Sequence, residues 1–277
     1  MIKVDEAVKY YKGIKPQLGE LLDLYVRINS LQSQYIEQMS YTLSISSDLA
    51  IEKLKSGKYL LEKIPFIIDK ENFMKLVNDL IKLMKDSGEK AGKVESLFLS
   101  SPEYIPTELQ ELTDCFIKSK ELTLHDKNLV HYILWQALKT FYKKEAKNLK
   151  SINDKSYWTK SICPVCGNLP KISRLMKETG KRQLVCSLCW TEWSFTRISC
   201  PYCLNTCQDK LGYFYIDDDK AYRIDVCHIC KNYIKTIDEK QIGRETVLEI
   251  EDIITYHMDI LAFSKGYKNP LNLSIEK

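Results

Sequence analysis

Four C-x-x-C pairs constrain this chain more than any other feature of its sequence. Two residues between two thiolates let one tight turn present both sulfurs to one metal ion, and two such turns complete a tetrahedral site of four sulfurs. The sequence therefore predicts two tetrathiolate metal sites. Their ligands are the eight paired cysteines: Cys163, Cys166, Cys186 and Cys189 in one site, and Cys200, Cys203, Cys227 and Cys230 in the other.

The spacing of the pairs decides which ones share a metal. Nineteen residues separate the first pair from the second, and 23 separate the third from the fourth. Each gap contains a predicted β-hairpin, with its turn at 178–181 in the first gap and at 217–220 in the second. This tandem layout is typical of zinc ribbons and rubredoxin-like knuckles. A cross-braced arrangement, first pair with third and second with fourth, is the alternative, and the hairpins argue against it.

The ligand set does not distinguish the metal, because a tetrahedral site of four sulfurs suits both zinc and iron. Four thiolates leave no open coordination position, so hydrolytic metal catalysis is not expected. A ribbon module this short buries too little apolar surface to fold without a metal ion that links its segments. The simplest role for the metal is therefore a structural one. The sequence also lacks the phosphate-loop, dinucleotide-binding, H-E-x-x-H and G-x-S-x-G motifs, and we expect a protein that is not an enzyme.

Outside the cysteine pairs, the hydrophobic periodicity is helical. Apolar residues recur at helix spacing over 17–39, from Asp69 to a stop at Gly88, over 107–118 and over 125–149. A last helix is predicted over 245–264, ending before Gly266. The fold class expected is α+β: an N-terminal helical bundle, two tandem zinc-ribbon or rubredoxin-like modules and a C-terminal helix. The predicted boundaries are 1–155, 156–198, 199–242 and 243–277.

Charge and hydropathy indicate the cellular compartment in which the protein is expected. The formal charge is +4 over 277 residues, and no stretch approaches the length of uncharged apolar sequence that a membrane span needs. The first six residues carry charge where a secretory signal needs an apolar segment. We therefore expect a cytoplasmic protein without a membrane span, in which cysteine pairs bind metal rather than form disulfides.

Several other residues have simple structural interpretations. Cys207 is expected to be a bystander, and Cys115 to lie in a helical core. His228, between two ligands, is expected to point to solvent. Trp190 and Trp193 are expected to pack over the first ribbon.

The cysteine region resembles the formate dehydrogenase accessory protein family, FdhE. The resemblance covers about residues 160–270, and in the first 150 residues it is limited to helical character and order. It is carried by the blocks Cys163-Pro164-Val165-Cys166-Gly167, Cys186-Ser187-Leu188-Cys189-Trp190-Thr191-Glu192-Trp193, Cys200-Pro201-Tyr202-Cys203, Cys227-His228-Ile229-Cys230-Lys231-Asn232 and Glu251-Asp252-Ile253-Ile254-Thr255-Tyr256-His257-Met258-Asp259.

The resemblance implies a cytosolic, non-catalytic maturation factor. Such a protein binds the catalytic subunit of a formate dehydrogenase, which carries a molybdenum or tungsten pterin and an iron–sulfur cluster. The family's cysteine pairs are rubredoxin-like and can hold iron, so the eight paired cysteines are the ligands carried over here.

Two other functions remain open at this point. One is a zinc-ribbon module that binds nucleic acid, with a possible basic stripe along the first hairpin. Both halves of the chain carry a net charge of +2, so nucleic acid is not the expected partner. The other is a rubredoxin-like electron carrier, for which the helical half is superfluous. The stripe consists of Lys171, Arg174, Lys177, Lys181 and Arg182.

Overall fold

The computed structural model describes residues 4–39, 45–64, 68–88, 92–99, 102–116, 122–151, 157–216 and 219–271. The helices are α1 (Val4–Ile14), α2 (Gly19–Gln38), α3 (Ser47–Lys55), α4 (Lys70–Asp86), α5 (Gly92–Leu97), α6 (Leu109–Phe116), α7 (Leu124–Asn148), α8 (Glu239–Ile242), α9 (Leu248–Ile254) and α10 (Tyr256–Ser264). The strands are β1 (Pro170–Leu175), β2 (Arg182–Cys186), β3 (Glu192–Phe195), β4 (Leu211–Tyr215), β5 (Tyr222–Cys227) and β6 (Tyr233–Asp238).

The chain forms two compact units. A cysteine unit consists of Met1–Asp23, Ser46–Glu62 and Ser151–Lys277, and a helical unit consists of Leu24–Ile45 and Lys63–Lys150. The structure thus groups α1 and α3 with the cysteine pairs. The four sequence-derived domain boundaries stay predictions.

The helical unit is a bundle, as the apolar periodicity predicted. Helix α7 packs against α4, α5 and α6. Asp69 caps α4 by accepting a hydrogen bond from the Asn72 N–H, and Thr123 and Asp126 form a capping box at the start of α7. Two buried ring and polar contacts tie these helices together: Phe73 stacks on Phe141 at 5.8 Å, and Gln32 Nε2 donates to the Gln136 carbonyl oxygen at 2.9 Å.

The cysteine unit contains one six-stranded sheet, in the order β3-β2-β1-β6-β5-β4. Both predicted hairpins are present, since β1 pairs antiparallel with β2, and β4 with β5. Strands β3 and β6 were not predicted. Each adds antiparallel to its hairpin, and β1 and β6 then pair in parallel, with Ser173 opposite Thr236. The two predicted modules are therefore two halves of a single sheet.

The predicted single helix over 245–264 is wrong in one respect, because it is two helices. Helix α9 ends at Ile254 and α10 begins at Tyr256, with Thr255 between them at φ −106° and ψ 17°. The Thr255 hydroxyl donates to the carbonyl oxygens of Glu251 and Asp252 at 2.7 and 3.2 Å. A threonine that bonds back to the preceding turn bends a helix, and here it interrupts one.

One face of the sheet is covered by the C-terminal helices. Ile172, Val185 and Ile237 pack with Leu248 of α9, and a second apolar cluster joins the sheet to α10. An ion network reinforces this packing: the buried Lys235 ammonium lies 2.8 Å from an Asp252 carboxylate oxygen and 2.7 Å from one of Asp259. In the described ranges no helix combines the length and apolar character needed to cross a bilayer.

Candidate metal centres

The four cysteine pairs form four copies of one backbone turn. In every copy the N–H of the first cysteine donates to the carbonyl oxygen of the fifth residue after it, at 2.8–3.0 Å. The acceptors of these bonds are Asn168, Thr191, Asn205 and Asn232. This closure curls the chain so that both thiols of a pair face the same side, which is what a shared metal ion requires. We call each turn a knuckle and number the knuckles in chain order.

The residue after the second cysteine of each knuckle has a left-handed backbone. The φ angles are 76° at Gly167, 60° at Trp190, 61° at Leu204 and 58° at Lys231. At the first of these positions the residue is glycine, which adopts this conformation without strain. The other three side chains adopt it at an energetic cost, which indicates that the surrounding turn determines the backbone.

The first cysteine site brings together Cys163, Cys166, Cys186 and Cys189, all buried. The Cys166 sulfur lies 3.4 Å from that of Cys186 and 3.5 Å from that of Cys189, and the Cys163 and Cys189 sulfurs are 3.5 Å apart. Hydrogen-bond donors surround the sulfurs: the Leu188 N–H points to Cys186 Sγ at 3.3 Å. Such donors stabilise thiolates over thiols.

The second cysteine site brings together Cys200, Cys203, Cys227 and Cys230. The Cys200 and Cys230 sulfurs are 3.7 Å apart, and those of Cys203 and Cys227 are 3.6 Å apart. Unlike the first site, this one is open on one side, because Cys203 is exposed and Cys230 is half-buried. The structure thus groups the pairs in sequence order, and the cross-braced arrangement is not the one observed.

Both groups have the dimensions of a tetrahedral metal site. A metal–sulfur distance of about 2.3 Å gives a regular tetrahedron with sulfur–sulfur edges of about 3.8 Å. Five of the sulfur–sulfur distances are 3.4–3.7 Å, close to that value, and all sulfurs of a group lie within 4.8 Å of one another. All eight thiols are free, so disulfides do not compete for them. Either group can hold a metal ion, and the sulfur donor set accommodates zinc and iron alike.

The surroundings of the thiols separate their pKa values. Burial raises the pKa of the Cys166 and Cys186 thiols well above the ordinary value. Burial would also raise the pKa of Cys227, but hydrogen bonds from the N–H groups of Cys230 and Ile229 lower it to about 7. At Cys189 burial is likewise outweighed by hydrogen bonds from the neighbouring cysteines, which lower its pKa. Each site therefore contains one thiol that ionises readily, the form in which a cysteine first takes a metal.

Strand directions place both sites at the same end of the sheet. Strand β1 begins after the first knuckle and β6 after the fourth, and these strands run parallel. Strands β2 and β5 run the opposite way and end at Cys186 and Cys227. All four knuckles therefore lie at the same end of the sheet.

Segments distant in sequence brace the knuckles. The N–H groups of Leu60 and Leu61 donate to the carbonyl oxygens of Pro164 and Val165 at 2.8 and 2.9 Å, so the chain after α3 clamps the first knuckle. At the fourth knuckle, the Lys268 N–H donates to the Lys231 carbonyl oxygen at 2.7 Å. The segment after α10 thus supports the second site.

Most of the remaining sequence predictions concern side chains near the sites. His228 is exposed and its Nδ1 lies 2.9 Å from the Tyr267 hydroxyl, outside both cysteine groups. Trp193 is fully buried, with its Nε1 donating to the Lys160 carbonyl oxygen at 3.1 Å, as expected for packing. Cys207 is exposed and belongs to neither group. Cys115 is half-buried rather than in the core. Of the predicted acidic turn, Asp217 and Asp218 lie outside the described residues.

The predicted basic stripe does not form a free cationic surface. Arg182 is buried, Arg174 pairs with Glu192 and Glu239 at 2.5 and 2.9 Å, and Lys171 pairs with Asp252 at 2.9 Å. Lys177 and Lys181 are exposed. Three of the five cations are engaged within the protein, which weakens the main observation behind nucleic-acid binding.

Sequence reasoning missed the amides that contact the sulfurs. Asn168 Nδ2 lies 3.7 Å from Cys166 Sγ, and Asn205 Nδ2 lies 3.8 Å from Cys227 Sγ. The sequence does contain the relevant pattern, because three of the four pairs read C-x-x-C-x-N and the remaining one ends in Thr191. Cys189 Sγ lies 3.1 Å from that threonine's hydroxyl oxygen.

Comparisons with known proteins give one consistent result. The family model "FdhE, central domain" matches residues 162–197, which span the first cysteine site. An FdhE homologue from Aquifex aeolicus is 27% identical over 256 residues, covering 91% of this chain and 87% of that protein. An FdhE homologue from Haemophilus ducreyi is 29% identical over 229 residues, covering 79% of this chain and 72% of that protein. The crystal structure of FdhE from Pseudomonas aeruginosa has the same fold, with a TM-score of 0.66 at 19% identity over 96% of this chain and 92% of that one.

Proposed function

We propose that this chain is a member of the FdhE family and a metal-binding accessory protein that helps a formate dehydrogenase mature by binding its catalytic subunit. The observation that carries the proposal is the pair of preorganised four-cysteine groups at one end of a single sheet. They stand in a chain whose likeness to FdhE proteins extends over most of its length. The protein acts without catalysis of its own and works in the cytoplasm, where thiols stay reduced.

The two sites have different parts in this proposal. The first site is wholly buried, so its metal holds the knuckles and the strands together. The second site exposes Cys203, and the exposed side chains of Leu204 and Ile229 flank its ligands. An apolar rim around an open metal site suits contact with a protein partner. We therefore place the contact with the catalytic subunit beside the second site.

The exposed Cys203 also favours a second candidate function, electron transfer through an iron ion in the second site. A sulfur ligand at the surface shortens the path from the metal to a redox partner. An iron-loaded chain would be coloured and reversibly reducible, whereas a zinc-loaded chain would be neither. Metal analysis and a visible spectrum of the protein purified from its own host decide between them.

The test of the leading proposal is an affinity purification from the native host grown with formate. A tagged wild-type chain is compared with Cys203→Ser, which alters the second site, and with Cys207→Ser. Cys207 is the matched control because it is also exposed but belongs to neither cysteine group. We expect a formate dehydrogenase catalytic subunit to be enriched by the wild type and by Cys207→Ser, and to be depleted with Cys203→Ser.

Two results would contradict the proposal. One is that the wild-type chain, folded and metal-loaded, captures no formate dehydrogenase subunit. The other is recovery of nucleic acid or its polymerases in a salt-dependent manner, which would favour a zinc-ribbon binding module.

A further inference from the structure

A cavity of about 360 Å³ lies on the face of the sheet opposite the C-terminal helices. It is lined by residues of β2, β4, β5 and β6 and by the segment 197–202, and its lining includes two ligands of the second cysteine site, Cys200 and Cys227. Its volume falls within the roughly 300–1,000 Å³ of small-molecule sites. The proposed function assigns no ligand to this cavity.

The register of the strands explains why this face is polar. Ser173 of β1 pairs with Thr236 of β6, and Thr236 pairs with Arg223 of β5, so these three side chains share a face. Arg182 of β2 pairs with Leu175, which lies two residues after Ser173, and Asp225 lies two residues after Arg223 on β5. Side chains two residues apart on a strand share a face, so Arg182 and Asp225 belong to this face too. The Ser173 and Thr236 hydroxyl oxygens are 2.5 Å apart and both residues are buried. A buried polar row of this kind is costly unless its groups are paired.

Arg182 is incompletely paired. Its side chain is only 3% exposed. Its Nη1 donates to the Ser199 carbonyl oxygen at 2.9 Å and its Nε to the Ser173 hydroxyl at 3.4 Å. Its Nη2 has no hydrogen-bond partner in the described part of the chain, and the nearest carboxylate oxygen, on Asp225, is 3.8 Å away. Burial lowers the pKa of this guanidinium despite Asp225, as expected for a cation short of compensating groups.

Asp225 cannot neutralise the cavity, because other groups already occupy it. Its Oδ1 lies 2.9 Å from Arg223 Nε, and its Oδ2 accepts a hydrogen bond from the Thr236 hydroxyl at 2.6 Å. The third arginine of the cavity, Arg197, is exposed at the rim. Three guanidinium groups and one carboxylate line the cavity, together with Cys200 and Cys227. When the second site holds a divalent ion, its four thiolates leave that site with two negative charges, so a ligand is recognised through directed N–H donors rather than through a net positive charge.

We propose that this cavity binds a phosphate monoester through Arg182, Arg197 and Arg223. Guanidinium groups donate strong, charge-assisted hydrogen bonds to phosphate oxygens, and Arg182 keeps the N–H donors of its Nη2 unused. A phosphate monoester presents three terminal oxygens to these three guanidinium groups, whereas a carboxylate presents two. Ile198 and the exposed Tyr213 also line the cavity, on the side of the organic part of the ester, and the Arg223 guanidinium lies 5.0 Å from the Tyr213 ring.

Calorimetric titration of the metal-loaded full chain at constant ionic strength tests this inference. The probes are ribose 5-phosphate, inorganic phosphate and acetate. We expect saturable binding of the first two and binding of acetate that is weaker by about tenfold or more, because it brings fewer charge-assisted hydrogen bonds. Absence of saturable binding of either phosphate compound at millimolar concentrations would overturn the proposal. Acetate binding as tight as phosphate binding would overturn the choice of a phosphate ligand.

Variants locate the binding. Arg197→Gln removes a rim cation without disturbing the core, and we expect it to weaken ribose 5-phosphate binding by about tenfold or more. Lys177→Gln is the matched control, since Lys177 is exposed on the first hairpin and does not line the cavity. Arg182→Lys keeps the buried charge but loses the planar guanidinium donors. We expect it to weaken ribose 5-phosphate binding more than Arg197→Gln does, in protein that circular dichroism and metal content show to be folded. Equal affinity in wild type and Arg197→Gln, or equal losses in Arg197→Gln and Lys177→Gln, would contradict the assignment.

Discussion

Gly167 offers the sharpest test of how the knuckles are built, through the substitution Gly167→Ala. Its φ of 76° is left-handed, and an alanine there costs about 1–2 kcal/mol relative to glycine. A Cβ atom at this position would also lie 2.7 Å from Tyr59 Cε1, a separation that ordinary packing does not tolerate. Relieving such an overlap costs about 1–3 kcal/mol. We expect Gly167→Ala to lower the free energy of unfolding by about 2–5 kcal/mol in total.

The backbone beside the tyrosine is held in place. The two residues after Tyr59 are hydrogen-bonded to the carbonyl oxygens of Pro164 and Val165, so the overlap can be relieved only by turning the ring or by breaking these bonds. Replacing the ring in a Tyr59→Ala, Gly167→Ala double variant removes the overlap but not the backbone cost. The double variant therefore separates the two contributions by a thermodynamic cycle.

The assay combines urea unfolding with zinc or iron content after dialysis against a chelator. Gly13→Ala serves as the control for the same chemical change, because no atom lies within 4 Å of a Cβ at that α1 position. There we expect a change of less than about 1 kcal/mol, in the stabilising direction. If Gly167→Ala unfolded at the same urea concentration as the wild type and kept its metal, the proposed strain at the knuckle would be refuted.

Three further predictions follow from the same geometry. A chelator should remove metal from the second site before the first, because Cys203 is exposed while all four thiols of the first site are buried. The order of release is measured by timing metal loss from the wild type and from Cys203→Ser. Leu204→Gly should raise the free energy of unfolding by about 1 kcal/mol by relieving a left-handed backbone, as read from a urea midpoint. Asp252→Asn should lower it by about 1.5–3 kcal/mol at neutral pH, because buried Lys235 loses one of its two carboxylate partners and keeps Asp259 at 2.7 Å. Burial alone would raise the Asp252 pKa, but the ammonium groups of Lys171 and Lys235 hold it below its usual range. The stabilisation by Asp252 is therefore present above about pH 4 and is lost as the pH falls further. The difference in unfolding free energy between wild type and variant should accordingly shrink in acid.

What the sequence predicted correctly was encoded locally. The hairpins follow from a turn between two short β-type segments, and α4 and α7 follow from apolar periodicity and from the caps at Asp69 and Thr123. Strands β3 and β6 have no such markers, since β3 has only four residues and both follow a knuckle directly. The parallel pairing of Ser173 with Thr236 joins residues far apart in the chain, and a local pattern does not reveal it.

The candidate sites were predictable for a similar reason, and only in part. C-x-x-C spacing names the ligands because each pair is closed by its own turn. The unequal exposure of the two sites was not predictable, because it depends on distant segments such as Leu60 and Leu61 that clamp the first knuckle. Arg182, which lines the cavity, was interpreted as part of a basic surface stripe. It follows the exposed Lys181 in sequence, but the neighbouring strands bury it.

The parallel junction at the centre of the sheet follows from the repeat itself. Each half has the order knuckle, strand, strand, knuckle, strand, so its first and third strands both run antiparallel to its second and hence parallel to each other. When the two halves stack in the same orientation, the first strand of one half meets the third strand of the other, which makes the β1–β6 contact parallel and puts both cysteine sites at one end. A head-to-tail repeat of this kind does not close on itself. It leaves β3 and β4 as edges in the described sheet, and their lengths of four and five residues limit further strand addition there.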